Sequence, residues 1–140
     1  MGLKSKYNLS PYQIINILLA AFIVFIFAYS AVFSPEKSNH PIPSSHTFIT
    51  GEETTSTGLS RGFSSIIRFQ FDQAKEYNPY SIQLFLFFLI QFFLRIFLTL
   101  SYSSLIIGLG ENKSVLIDAL ISSVMFLLFF EPFWREIISF

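Results

Sequence analysis

Three long apolar segments dominate the chain, and shorter polar stretches separate them. The apolar segments cover residues 14–33, 81–102 and 114–131. The first contains about 20 residues without a charged side chain, and a helix of that length crosses roughly 30 Å of hydrocarbon. The pattern predicts an all-α membrane protein with three transmembrane helices in one integral membrane domain.

The region between the first two spans changes character twice. Prolines and small polar residues predict a loop over 34–57. Residues 58–79 then carry apolar side chains at helical spacing, namely Leu59, Phe63, Ile66 and Ile67. We expect Ser60 to cap this helix and a second short helix over 71–77 to end before Pro79. Both are too short to span, so amphipathic helices are predicted along the membrane surface or against the ends of the spans.

Composition agrees with a membrane location and narrows the chemistry. Of the 140 residues, 52% are hydrophobic and 13% charged, which is too apolar for an ordinary soluble domain. Nine basic and nine acidic residues provide no field to attract nucleic acid. Without cysteine, disulfides, iron–sulfur clusters and thiolate zinc sites are excluded. His40 and His46 are too few to form a metal site, and we expect neither a metal nor a cofactor.

Several short motifs stand in a fixed order in the middle third of the chain. They are Thr57-Gly58-Leu59-Ser60-Arg61, Phe71-Asp72, Ala74 and Tyr77-Asn78-Pro79, with an apolar helix directly behind. In this order and spacing they resemble a family of small bacterial membrane proteins, the domain of unknown function 2752. Members read Cys-Pro-x-Cys-Gly-x-Thr-Arg, then a short amphipathic segment ending in Asn-Pro, then a hydrophobic helix.

The chain departs from this family at its paired cysteines. Thr54 and Thr57 stand at the cysteine positions, Thr55 at the family proline and Ser60 at the family threonine. A disulfide, metal or redox role therefore does not carry over, because threonine has no thiolate. The resemblance implies an architecture, a multi-pass protein of the bacterial cytoplasmic membrane and no known activity. It also implies a structural or partner-binding role for five motif residues, Gly58, Ser60, Arg61, Asn78 and Pro79.

The second and third spans carry polar residues that lipid would not accommodate. Gln91, Arg95 and Thr99 recur every fourth residue on the second span, so they share one helix face. An unpaired arginine facing lipid costs about 3 kcal/mol, and we expect this face to contact protein. Asp118 on the third span is the natural partner of Arg95.

The level of Asp118 makes this pairing uncertain from sequence. A hairpin that turns near Gly110 places Asp118 roughly 12 Å from the level of Arg95. A snorkelling arginine side chain closes part of that gap. Glu131 is about as distant, and the remaining alternatives for Arg95 are an acid or carbonyl on another subunit, or a lipid phosphate.

Arg61 lies in the first turn of the amphipathic helix, where the helix dipole disfavours a cation. It therefore needs an anion, and the candidates are Glu52, Glu53, Asp72 or Glu76, a lipid phosphate, or a carboxylate on a partner. We expect Arg61 to be partly buried and to make two or more hydrogen bonds that fasten the loop over the helix ends.

Three functions remain open on this basis. The first is a non-enzymatic accessory or assembly subunit of a larger membrane complex, with the lipid bilayer and other membrane subunits as its partners. The second is an oligomeric transport or ion-pathway component that uses Gln91, Arg95 and Asp118. The third is a membrane enzyme built on Ser60 and the loop histidines, although no recognised catalytic motif accompanies them. Lys4 and Lys6 before the first span favour a cytoplasmic N-terminus.

Overall fold

The computed structural model describes residues 9–36, 55–102 and 108–138. This part of the chain is all-helical, and three of its helices are long and apolar enough to cross a membrane. The protein is thus a multi-pass integral membrane protein, as the apolar segments predict. The expectations for Lys4, Lys6, the loop histidines and the Glu52–Glu53 pair lie outside the described residues.

The described residues form six helices. They are α1 (Pro11–Val32), α2 (Leu59–Ile67), α3 (Phe71–Tyr77), α4 (Ser81–Leu100), α5 (Glu111–Phe129) and α6 (Glu131–Ile138). Ser10 and Gln13 form a reciprocal capping box that starts α1, with Pro11 at the first helical position. The three spans are α1, α4 and α5.

The three spans alternate in direction. Asn16 near the start of α1 contacts Arg95 near the end of α4, while Phe27 near the end of α1 stacks on Phe85 near the start of α4, with ring centroids 4.8 Å apart. These two contacts make α1 and α4 antiparallel. Gln83 of α4 donates to the Phe129 carbonyl at the end of α5, which makes α5 antiparallel to α4. The bundle end where α1 finishes and α4 begins is called the cap end below.

The helices α2 and α3 form a cap on that end. Their apolar core consists of Phe63, Ile66, Ala74 and Leu84, all buried. The Phe63 ring packs edge-on against Phe85, with ring centroids 5.5 Å apart. The helix α2 therefore packs directly against α4. Of the two predicted placements, packing against the ends of the spans is the one observed.

Two details of α2 differ from the sequence expectation. Gly58, not Ser60, occupies the N-cap position; no side chain caps the helix, and Ser60 is an exposed residue within its first turn. Ser64 and Ser65 lie off the predicted apolar face of Leu59, Phe63, Ile66 and Ile67, yet both are fully buried. Ser64 meets its hydrogen-bonding need locally by donating to the Ser60 carbonyl at 3.0 Å. Because small serines leave room for close packing, the polar side of α2 is also covered by protein.

Candidate functional site

The Arg95 guanidinium is the centre of a polar cluster between α1, α4 and α5. One terminal amino group donates to the Asp118 carboxylate at 2.7 Å and to the Asn16 amide oxygen at 2.8 Å. The other donates to the Gln91 side-chain oxygen at 3.0 Å and to the Ser122 hydroxyl. Arg95 is only 6% exposed. The cation is therefore hydrogen-bonded by all three spans, which lets a charge remain buried.

The Asp118 carboxylate is satisfied in the same way. The Tyr12 hydroxyl donates to one carboxylate oxygen at 2.8 Å, and the Ser122 hydroxyl donates to the other at 3.1 Å. Asp118 is 8% exposed. A buried ion pair contributes net stability only when further hydrogen bonds satisfy both partners, and that condition is met here. We call Tyr12, Asn16, Gln91, Arg95, Asp118 and Ser122 the arginine cluster.

The expected difference in level between Arg95 and Asp118 is wrong. α4 ends at Leu100 and α5 begins at Glu111. Arg95 thus lies about 7.5 Å from its helix end and Asp118 about 10.5 Å from its own, at 1.5 Å per residue. The 12 Å difference predicted from the sequence assumes that the second and third spans are both helical up to a turn near Gly110. Since Arg95 finds its partner within the chain, an external acid or lipid phosphate is not needed.

Two members of the arginine cluster, Tyr12 and Asn16, are not predicted by a search of the sequence for charged residues in the spans. Asn16 is fully buried in α1, and Tyr12 lies one turn before it. The first span carries no charged residue, and one uncharged amide barely lowers its mean hydropathy. The signal that would find them is the spacing of Tyr12 and Asn16, because residues four apart project from one face of a helix.

The arginine cluster extends only part of the way through the bundle. On the side away from the cap, the Tyr12 ring lies 6.1 Å from that of Tyr102. Toward the cap, the Gln91 amide donates to the Met125 sulfur at 3.6 Å. The rings that follow are those of Phe87, Phe126, Phe129 and Phe130. Within the described residues the polar chain stops at these rings, and its hydrogen bonds join the three spans.

The motif residues converge at the cap end, away from the arginine cluster. Asn78 joins the two halves of the motif, since its side-chain nitrogen donates to the Thr55 and Thr57 carbonyls at 2.7 and 2.8 Å. Its side-chain oxygen accepts from the Tyr80 amide at 2.9 Å, which fixes the turn around Pro79 into α4. Asn78 is buried. These bonds fasten the loop before α2 to the start of α4.

Gly58 allows this approach of the two halves. Its φ of 81° lies in the left-handed region that favours glycine. A Cβ at this position would lie 2.2 Å from the Tyr77 carbonyl oxygen, well inside van der Waals contact. Gly58 therefore serves both the backbone turn and the close packing of α2 on α3.

Arg61 is partly buried, as expected, and two of its contacts lie within the described residues. Its Nε donates to the Pro35 carbonyl at 2.6 Å, and its guanidinium carbon lies 3.9 Å from the centre of the Tyr77 ring. Within the described residues Arg61 makes no ion pair with Asp72 or Glu76. Within the described residues, Arg61 contacts a backbone carbonyl and an aromatic face rather than an acid. Glu52 and Glu53, the other candidates in this chain, lie outside the described residues.

Arg68 supplies a second contact between the cap and α1. Its guanidinium donates to the Ser30 and Ala31 carbonyls at 3.2 and 3.0 Å. These carbonyls belong to the last turn of α1, where a helix lacks internal partners and favours a cation. Arg61 and Arg68 together hold α2 against the end of the first span.

Comparison with known proteins gives no match: no family model fits the chain, and neither a curated protein nor a solved structure is detectably similar to it. The resemblance to the domain of unknown function 2752 therefore stays a prediction. The catalytic alternative needs Ser60 near His40 or His46, and both histidines lie outside the described residues.

Replacing Arg61 should weaken the cap in two steps. Arg61→Lys keeps the charge but loses the Nε hydrogen bond and the flat stacking on Tyr77, and we expect a loss of about 1 kcal/mol. Arg61→Ala should lose roughly 2 kcal/mol, since the aromatic contact also disappears. Thermal unfolding in detergent measures both. Arg135→Ala is the control, because Arg135 is exposed and, among the described residues, its ion pair is with Glu131 of the same helix. Equal midpoints for all three variants would show that Arg61 does not fasten the cap.

Proposed function

We propose that this protein is a non-enzymatic accessory or assembly subunit of a larger membrane complex. The observation that supports this is the poor coverage of α5 by the rest of the bundle. Within the described residues, α5 buries only Ser114 and Asp118. Most of its other described residues are exposed, and this surface can take a neighbouring helix.

One side of α5 has the composition of a helix–helix contact. Ala119 and Ser123 are both exposed and lie one turn apart, next to the face that meets Arg95. In lipid, apolar surface alone does not drive helices together, so association depends on close backbone approach and interhelical hydrogen bonds. Small residues spaced by four permit that approach, and the Ser123 hydroxyl adds a donor. We name Ala119 and Ser123 the small face of α5.

The proposal does not depend on Arg95. An intramembrane arginine without an internal partner would favour an external subunit, but Arg95 is satisfied within the chain. The aromatic rings beyond Met125 likewise give the ion-pathway alternative no support from the described residues. The argument for a partner therefore rests on the exposed surface of α5 and on its small face.

A substitution on the small face tests the proposal. The tagged chain is extracted from native membranes in mild detergent, and the proteins that co-purify are quantified by mass spectrometry. We expect a partner at constant stoichiometry with the wild-type chain. Ala119→Leu should reduce its recovery by about tenfold, which corresponds to 1.4 kcal/mol of binding free energy.

Val124→Leu is the matched control on the same helix. Val124 is also exposed, but it lies on a different side of α5. This variant should retain the partner, while both variants should keep the thermal midpoint of the isolated chain. A wild-type chain that runs alone, or only with copies of itself, contradicts the subunit proposal. Equal loss of the partner in both variants rules out the small face as the contact.

A further inference from the structure

The turn between α2 and α3 places an aromatic side chain where glycine is usual. Phe69 has a φ of 61° and is the one described residue other than glycine with a positive φ. The Phe69 amide donates to the Ile66 carbonyl and the Gln70 amide to the Ser65 carbonyl, each at 2.9 Å. This pair of bonds is the Schellman ending of a helix, whose left-handed position is normally taken by glycine or asparagine.

The Phe69 side chain adds few contacts within the protein that would offset its left-handed backbone. The Phe69 ring is 82% exposed, and its one aromatic neighbour among the described residues is Phe71, edge-on with centroids 6.4 Å apart. Phe71 is itself 47% exposed. A bulky residue in the left-handed region is strained, and its ring makes no core contact that would offset the strain. We call Phe69 and Phe71 the ring pair.

The level of the ring pair along the bundle identifies its surroundings. The preceding residue, Arg68, donates to the Ser30 and Ala31 carbonyls in the last turn of α1. Val32 ends that helix and is 74% exposed. The ring pair therefore lies beside the point where the first span leaves the hydrocarbon. This is the depth at which amphipathic segments bury their aromatic side chains.

We propose that the ring pair is a lipid anchor. Phe69 and Phe71 insert at the boundary between acyl chains and headgroups in the leaflet at the cap end. Arg68 holds their turn against α1, so the rings reach lipid at a fixed height. In this arrangement the bilayer covers the two rings, and the strain at Phe69 is offset by contacts outside the protein.

Tryptophan fluorescence in vesicles tests the anchor. Phe69→Trp is made in a Trp134→Phe background, which removes the single native tryptophan. The protein is reconstituted into phosphatidylcholine vesicles with bromine near the headgroup end or near the methyl end of the acyl chains. We expect the headgroup-end bromines to quench at least twice as strongly, and aqueous iodide to quench weakly.

Two further positions calibrate the measurement. Gln73→Trp, on the exposed side of α3, should be quenched by iodide. Phe93→Trp, on an exposed site inside the second span, should be quenched by the methyl-end bromines. If Phe69→Trp is quenched by iodide as strongly as Gln73→Trp, the turn is in water and the proposal is wrong. If neither bromine nor iodide quenches it, protein covers the rings, and this also overturns the proposal.

Phe69→Gly separates an anchor from a folding requirement. In detergent, glycine relieves the strained backbone, and we expect the thermal midpoint to rise by roughly 3 °C. A fall in the midpoint would mean that the ring stabilises the fold itself, contrary to the proposal. Neither experiment depends on a partner subunit, so a failure of the subunit proposal leaves the anchor unaffected.

Discussion

Arg95→Leu is expected to lower the free energy of unfolding by at least about 3 kcal/mol, because it leaves the Asp118 carboxylate buried without its cation. The Arg95 guanidinium also no longer donates hydrogen bonds to Asn16, Gln91 and Ser122. Asp118→Leu should cost about as much for the converse reason, since it leaves the guanidinium with neutral acceptors only. Equilibrium unfolding in mixed micelles, titrated with a denaturing detergent, measures both changes.

The double variant Arg95→Leu/Asp118→Leu is the decisive control. Replacing a whole buried ion pair by apolar side chains is often nearly neutral, whereas removing one partner is not. We therefore expect the double variant to be more stable than either single variant. Losses that add independently would show that the two side chains do not interact, since coupling is the signature of a direct contact.

This coupling matters for the architecture because α5 has few other attachments. Beyond the arginine cluster, α5 is held by the Gln83 hydrogen bond to Phe129 and by the rings around Phe87. The arginine cluster contacts α5 around its middle, at Asp118 and Ser122, and the rings contact it near the cap end. Losing either contact should release part of α5, so the small face also depends on an intact cluster for its position.

The sequence predicts the spans well because the bilayer imposes a simple rule. Any segment of about 20 apolar residues can satisfy its backbone only as a helix, so hydropathy suffices to locate the three spans. No such rule fixes which residues of two neighbouring helices lie at the same depth in the bundle. The residues at which α4 ends and α5 begins depend on the connection between them, and an error of a few residues there displaced Asp118 from Arg95.

At the cap the sequence identifies the residues but not their partners. Gly58, Arg61 and Asn78 stand out in the motif. The sequence suggests acids as partners of Arg61, but the contacts seen among the described residues are the Pro35 carbonyl and the Tyr77 ring. Oppositely charged side chains can be identified in the sequence as candidate partners. Backbone carbonyls occur at every residue, so the sequence does not indicate which of them an arginine contacts. The left-handed backbone of Phe69 cannot be predicted from the sequence either. A left-handed residue at a helix end is normally recognised by glycine or asparagine, and phenylalanine gives no such signal.

Gly58→Ala adds a single methyl group to the cap and should lower the free energy of unfolding by about 3 kcal/mol. Part of the cost is the positive φ, which disfavours alanine by roughly 1–2 kcal/mol. The rest is the overlap of the new Cβ with the Tyr77 carbonyl, 2.2 Å away, which forces α2 and α3 apart. The separation should also break the Asn78 hydrogen bonds to Thr55 and Thr57.

Two other glycines provide a graded series for this prediction. Gly110 has a φ of 80°, but a Cβ there would meet nothing within 4 Å, so Gly110→Ala measures the backbone cost alone. Gly108 has the same open surroundings and no positive φ, and Gly108→Ala should be neutral. Thermal unfolding should therefore rank the losses as Gly58, then Gly110, then Gly108. If Gly58→Ala costs no more than Gly110→Ala, the close approach of the Gly58 and Tyr77 backbones does not hold the cap together.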